Sequence, residues 1–222
     1  MKRYLPFIII IAVALGALGS ATALYRAKKR TQLSIPAPIV IAGREAEAVH
    51  SLGDSKAAVT LEEFGDFQCP PCATIAPLIN QLEQDYKSDL RVIFSHYPLP
   101  THQHAFEAAL ASEAADLQGR FWEMHDLLYR EQSSWSKAPD VRPLFNAYAG
   151  ILGLNIDRFK KDMESEPVKA RVTSDQTRAA SLGVSTTPSI FINNRAVPPS
   201  SLNPVALRDA VKAAINSKAP AG

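Results

Sequence analysis

The alternation of apolar and polar positions along residues 59–97 sets the frame. Val59-Thr60-Leu61-Glu62-Glu63-Phe64 reads as a strand, and Gly65-Asp66 breaks it. A helix follows, with Ile75, Leu78, Ile79, Leu82 and Tyr86 recurring at three- and four-residue steps to give one apolar stripe. Leu90 to Tyr97 reads as a second strand, placing Val92, Phe94 and His96 on one side and Arg91, Ile93 and Ser95 on the other. The order at this point is strand, helix, strand.

From about His102 to Leu182 the period becomes helical. Phe106, Ala109, Leu110, Ala114 and Leu117 predict one buried stripe ended by Gly119. Val141, Leu144, Phe145, Tyr148 and Leu152 predict another, behind Asp140 as a cap, and Asn155 opens a third with Ile156, Phe159 and Met163. Glu166-Pro167 starts a further helix that Gly183 stops, because proline is tolerated in a first turn and glycine in a left-handed C-terminal position. Ser189-Ile190-Phe191-Ile192-Asn193 then reads as a strand, Asn193-Asn194 as a turn, and Arg195-Ala196-Val197 as a short edge strand before Pro198-Pro199. Asn203-Pro204 begins a last helix carrying Val205, Leu207, Val211, Ala214 and Ile215. The expected fold class is therefore α/β, a central mixed sheet with a large helical insertion (about 102–182) between the second and third of these strands.

At 222 residues, 46% hydrophobic and 21% charged, the chain has material for one ordinary core and little more. Three segments are expected: residues 1–30 as a membrane anchor or signal segment, 31–43 as an extended linker around Ile35-Pro36-Ala37-Pro38, and 44–218 as the folded domain. Leu5 to Leu24 carries no charge and follows Lys2 and Arg3. Its length favours a retained anchor; the small residues Ala21-Thr22-Ala23 leave signal cleavage and secretion as the alternative. The net charge is only +2, and Lys2, Arg3, Arg26, Lys28, Lys29 and Arg30 lie outside the expected domain, which excludes the basic face a nucleic-acid partner needs.

The chemistry sits in the only two cysteines, Cys69 and Cys72, separated by Pro70-Pro71 at a strand-to-helix junction. A helix N-terminus stabilises a thiolate, and a two-residue spacer lets the sulfurs close into a disulfide with little backbone movement. A purely structural disulfide is the weaker reading, since so short a loop constrains little of the unfolded chain. A zinc half-site is weaker again, because no second thiol pair exists to complete it. His96, His102 and His104 invite a metal reading, but no carboxylate or thiol is spaced to complete a site, and solvated or capping roles are expected; no metal site is assigned.

The segment Glu63-Phe64-Gly65-Asp66-Phe67-Gln68-Cys69-Pro70-Pro71-Cys72 resembles the active-site segment of DsbA-like thiol–disulfide oxidoreductases. Gly183-Val184-Ser185-Thr186-Thr187-Pro188-Ser189-Ile190-Phe191-Ile192 resembles their cis-proline segment, and His96-Tyr97-Pro98-Leu99-Pro100-Thr101-His102 with Phe121-Trp122-Glu123-Met124-His125 resembles their strand-to-insert junction and insert. The resemblance spans about residues 40–216. It implies a thioredoxin-like fold, Cys69 as the exposed attacking thiol, Cys72 as the resolving thiol, and Glu63 as a buried acid exchanging protons with it. It also implies that Pro188 is cis, that Thr187 offers backbone groups to an extended substrate, and that Pro70 and Pro71 border the bound substrate.

No cofactor is implied. The implied partners are exported proteins with thiols or disulfides and a membrane or thiol partner that resets the pair, at the extracytoplasmic or periplasmic face of the membrane, by a monomer. Pro71 departs from the pattern, standing where these enzymes commonly carry a histidine, and it can donate nothing to a thiolate. A reductase or isomerase direction and a copper-handling pair of thiolates are the alternatives to disulfide donation.

Overall fold

The computed structural model describes residues 50–218; the expected anchor and linker lie outside them. Among the described residues are five strands: β1 (His50–Leu52), β2 (Val59–Gly65), β3 (Leu90–His96), β4 (Ser189–Ile192) and β5 (Arg195–Ala196). They form one sheet in the order β1-β3-β2-β4-β5. β2 runs parallel to β3, and every other pair is antiparallel, so the sheet is mixed as expected.

The helices are α1 (Pro70–Tyr86), α2 (Ala105–Asp116), α3 (Phe121–Arg130), α4 (Gln132–Trp135), α5 (Arg142–Ile151), α6 (Ile156–Met163), α7 (Glu166–Ser181) and α8 (Pro204–Lys218), with a 3₁₀ turn at Pro199–Ser201. The parallel β2–α1–β3 crossover places α1 against the sheet, and α2 to α7 form the insertion between β3 and β4. The fold is thioredoxin-like.

Strand parity explains the layers. Val59, Leu61, Leu90, Val92, Ile190 and Ile192 meet Ile75, Ile79 and Leu82 of α1 and Leu207 and Val211 of α8 on one face. Phe64 and Phe191 meet Ala179 of α7 on the other. With both faces covered, β2 is buried nearly end to end, Glu62 and Glu63 included. The insertion has its own core of Trp135, Phe145, Phe159, Met163, Val168 and Val172, continuous with Phe67, Cys72 and Phe94.

Several local signals are realised at the atoms. Asn155 Oδ1 accepts from the Arg158 amide and Asn203 Oδ1 from the Ala206 amide, capping α6 and α8. Asn193 and Asn194 both take positive φ, 48° and 62°, the signature of a two-residue hairpin turn matching strand twist.

Other expectations are corrected. Phe106 and Leu117 do not belong to a buried stripe; they are 37% and 46% exposed, while Ala105, Ala108, Ala109, Ala111, Ala114 and Ala115 are buried. α2 is the central helix of the insertion, packed by α3, α6 and α7, and alanines on nearly every side let those neighbours close in. Ile156 is also exposed, because Phe159 and Met163 take the inner face of α6. β1 and the single turn α4 were not expected at all.

Candidate active site

The site grows from the end of β2. A Cβ on Gly65 would collide with the Phe94 ring and crowd the Tyr129 hydroxyl, so only glycine lets the strand pass here. Asp66 follows, buried, and organises the turn. Its Oδ1 accepts from the Gln68 amide at 2.7 Å, and its Oδ2 accepts from the Leu99 amide at 2.9 Å and lies 2.7 Å from His102 Nδ1. The Gln68 carboxamide spans outward: Oε1 accepts from the His104 amide at 2.7 Å, and Nε2 donates to the Ser136 carbonyl at 2.9 Å. Gln132 Nε2 donates to the carbonyls of Phe67, at 2.7 Å, and Cys69, at 3.0 Å. Insertion and sheet thus clamp the turn from both sides.

Cys69 is the N-cap of α1, and Pro70 and Pro71 fill the first two helical positions. Neither proline has an amide proton, so the first N–H of the helix belongs to Cys72, and it is offered to the Cys69 sulfur. The Cys72 thiol donates to the same sulfur; together these hold Cys69 at about 6, against an ordinary thiol near 9, although burial opposes them. Cys72 moves the opposite way, pushed far up by burial and by the neighbouring Cys69 sulfur and Glu63. Glu63 lies under the pair, its inward direction following from parity with Val59 and Leu61. Burial, and then the charge of Cys69, raise its carboxyl to about 8, with hydrogen bonding to Cys72 acting the other way.

Across the gap, Cys69 Sγ lies 3.3 Å from the Thr187 carbonyl and donates to it when protonated. The Thr187–Pro188 bond is cis, and Pro188 is buried. The structure therefore brings Cys69, Cys72, Glu63, Thr187 and Pro188 to one corner, with Pro70 and Pro71 exposed beside it. One expectation changes: Cys69 is not openly exposed but 4% accessible, wedged between the Thr187 loop and Cys72, itself fully buried.

Asp66, Gln68, Gln132 and Tyr129 were not singled out from sequence. Only Asp66 carries a readable signal, a turn-forming acid directly after a strand; the others act across large sequence separations. The three histidines also separate. His102 joins Asp66, His104 Nε2 meets the Ala138 carbonyl at 2.9 Å, and His96 turns inward to Glu113, with His50 beside it. Sequence spacing offers these histidines no carboxylate or thiol to complete a site; in space Glu113, on the next helix, lies beside His96.

The thioredoxin family profile matches residues 45–213, most of the chain. The chain belongs to the thioredoxin family. Among solved structures, oxidised BdbD from Bacillus subtilis is 21% identical with a TM-score of 0.66, covering 75% of this chain and 92% of that one. A thioredoxin-like oxidoreductase from Silicibacter pomeroyi is 24% identical with a TM-score of 0.64, covering 78% and 99%. Wolbachia pipientis alpha-DsbA1 is 18% identical with a TM-score of 0.66, covering 80% and 95%. The fold is thus shared with DsbA-like proteins.

The curated relatives carry a different name. A Na(+)/H(+) antiporter NhaA 1 of Mycolicibacterium gilvum is 36% identical over 169 residues, 73% of this chain and 27% of the relative. An NhaA 3 of Salinispora tropica is 40% identical over 147 residues, 66% and 22%. The chain spans about a quarter of the length of these relatives. Among the described residues no helix is long and apolar enough to cross a membrane.

Proposed function

We propose that this thioredoxin-family chain is an extracytoplasmic thiol–disulfide oxidoreductase that donates disulfides to exported proteins through Cys69-Pro70-Pro71-Cys72. The observation that carries this reading is the opposite displacement of the two thiols, Cys69 down to about 6 and Cys72 far up, on neighbouring sulfurs of one helix turn. With the pair oxidised, a substrate thiolate attacks Cys69 Sγ; the new S–S bond forms as the Cys69–Cys72 bond breaks, and Cys72 leaves with the electron pair. Glu63, protonated near neutral pH, is placed to give Cys72 its proton. A second substrate thiolate then attacks the first substrate sulfur, and Cys69 leaves as a stable thiolate. The substrate has lost two electrons, and the enzyme holds one thiolate and one thiol. Stabilising the reduced form in this way favours donation over reduction.

The Thr187 carbonyl and amide serve the extended substrate, with Pro188 behind them and Pro70-Pro71 as its border. An external disulfide or a membrane-embedded oxidant resets the pair. The uncharged run Leu5 to Leu24 supports a membrane anchor, and the redox chemistry supports the extracytoplasmic face, for a monomer with its domain at residues 44–218. Transport is not carried over from the antiporter relatives, because the stretch they share with this chain is no longer than the family match.

The deciding experiment equilibrates the full chain in detergent with glutathione buffers and then offers it a reduced, unfolded substrate protein. A reversible Cys69–Cys72 couple that oxidises the substrate supports the reading. A pair that cannot be oxidised, or that only reduces substrates, overturns it.

A further inference from the structure

His50 opens β1, His96 closes β3 and Glu113 projects from α2, and the three meet where the sheet edge joins the insertion. All are buried, with accessibilities of 1%, 1% and 4%. Glu113 Oε1 lies 2.7 Å from His50 Nε2 and 2.9 Å from His96 Nε2. The rings are fixed: His50 stacks flat on Phe121 at 3.5 Å, and His96 stands edge-on to Phe94 at 5.3 Å and to Phe121 at 5.9 Å.

Proton placement is the difficulty. If both imidazoles are neutral and donate from Nε2 to Glu113, then His50 Nδ1 is a bare lone pair. That atom is buried, has no hydrogen-bond partner, and faces Asp116 Oδ1 at 3.7 Å, acceptor against acceptor. A proton on His50 Nδ1 satisfies that lone pair but makes the ring a buried cation, and protonating His96 as well sets two such cations 5.8 Å apart. Arg171 does not resolve this: its Nε is 3.9 Å from Glu113, but its Nη1 is taken by Asp175 at 2.8 Å.

We propose that His50, His96 and Glu113 form a binding site for a divalent zinc-class cation. Two imidazole nitrogens and a carboxylate oxygen are a zinc donor set, and the two charges of the cation balance Glu113 and Asp116. With His50 Nε2 bound to the cation, its proton moves to Nδ1 and points at Asp116, the carboxylate–histidine–metal arrangement that orients such ligands. Ligands about 2.0–2.2 Å from a tetrahedral ion stand about 3.3 Å apart, so the present contacts open by roughly half an ångström on binding. The cation would pin the three-residue edge strand β1 to the insertion; the site is separate from the cysteines and does not depend on the proposed redox role.

The test titrates Zn²⁺ by calorimetry into the full chain in its disulfide form, which removes the thiols as ligands, and follows the visible bands of Co²⁺ as a second probe. One equivalent should bind, Glu113→Gln and His96→Gln should abolish binding, and Asp116→Asn should weaken it about ten- to a hundredfold. The parent should also melt higher with Zn²⁺ and return to its starting midpoint with a chelator, a readout that stands even where a variant fails to fold. No binding and no melting shift, or binding undiminished in folded Glu113→Gln, would show a plain buried hydrogen-bond network and overturn the proposal.

Discussion

Two glutamates are almost equally buried, Glu63 at 2% and Glu113 at 4%, yet they sit in opposite states. Glu63 has a carboxyl oxygen with no hydrogen-bond partner and a thiolate nearby, and its carboxyl is raised to about 8. Glu113 is also penalised by burial, but hydrogen bonds from His50 and His96, and the attraction of those rings for its charge, hold it at about 2. Burial alone therefore does not decide protonation; the groups packed around a buried acid do. The first arrangement keeps a proton ready for transfer, and the second keeps a charge in place.

That contrast can be broken at graded strengths. The largest effect belongs to Cys69→Ser, which should reduce exchange to background, while Cys72→Ser should accumulate mixed disulfides resolvable on non-reducing gels. Equal trapping by both would reverse the assignment of roles. In the parent, alkylation of Cys69 should rise with pH about a midpoint near 6, because only the thiolate reacts.

Glu63→Gln comes next. A folded-state pKa raised from 4.5 to about 8 means the native protein holds the extra proton, so Glu63 removes stability as pH climbs through that window. The variant should be more stable than the parent above pH 8, by on the order of 5 kcal/mol, with little difference below pH 4.5, while release of Cys72 slows. Denaturant melts across pH measure the first effect and stopped-flow measures the second.

Glu113→Gln should act with the opposite sign. The depressed pKa contributes stability that is fully present above 4.5 and lost as pH falls toward 2, so the metal-free variant should lose on the order of 3 kcal/mol at neutral pH. Parent and variant should converge in acid. The smallest effect is Asn155→Ala, which removes the α6 cap, a bond that involves neither carboxylate: about 1 kcal/mol at every pH, with no change of slope.

The chain's local signals carried the frame of the fold and the redox corner. Strand parity alone aims Glu63 inward, and Cys69, Cys72 and the Thr187-Pro188 turn stand out by residue type. What the sequence hides is of two kinds. Short elements such as β1 contain too few residues to show a period, and β1 exists only because β3 pairs with it. Partners distant in the chain show no spacing at all: His50 and Glu113 are separated by 63 residues, and Gln132 and Phe67 by 65. Glu62 belongs here too. It lies on the face opposite Glu63 and is buried beneath Arg178, whose guanidinium also lies 5.0 Å over Phe64. α2 misleads for another reason: in an alanine-rich helix wrapped on most sides, the bulky residues mark the open face rather than the core.

The position of β2 between β3 and β4 has a consequence for the chain as it is made. β3 follows β2 by a single crossover, but β4, which pairs with the other edge of β2, comes only after the whole insertion. Long-range pairing of this kind is slow, and N-terminal parts emerge first during synthesis. The two cysteines thus exist for a time on a half-built sheet, with neither the Thr187 carbonyl beside Cys69 nor the Gln132 clamp over the turn. Until the last strands arrive, Cys69 lacks the wall that leaves it 4% accessible, and the nascent thiol is open to reagents that the folded corner screens.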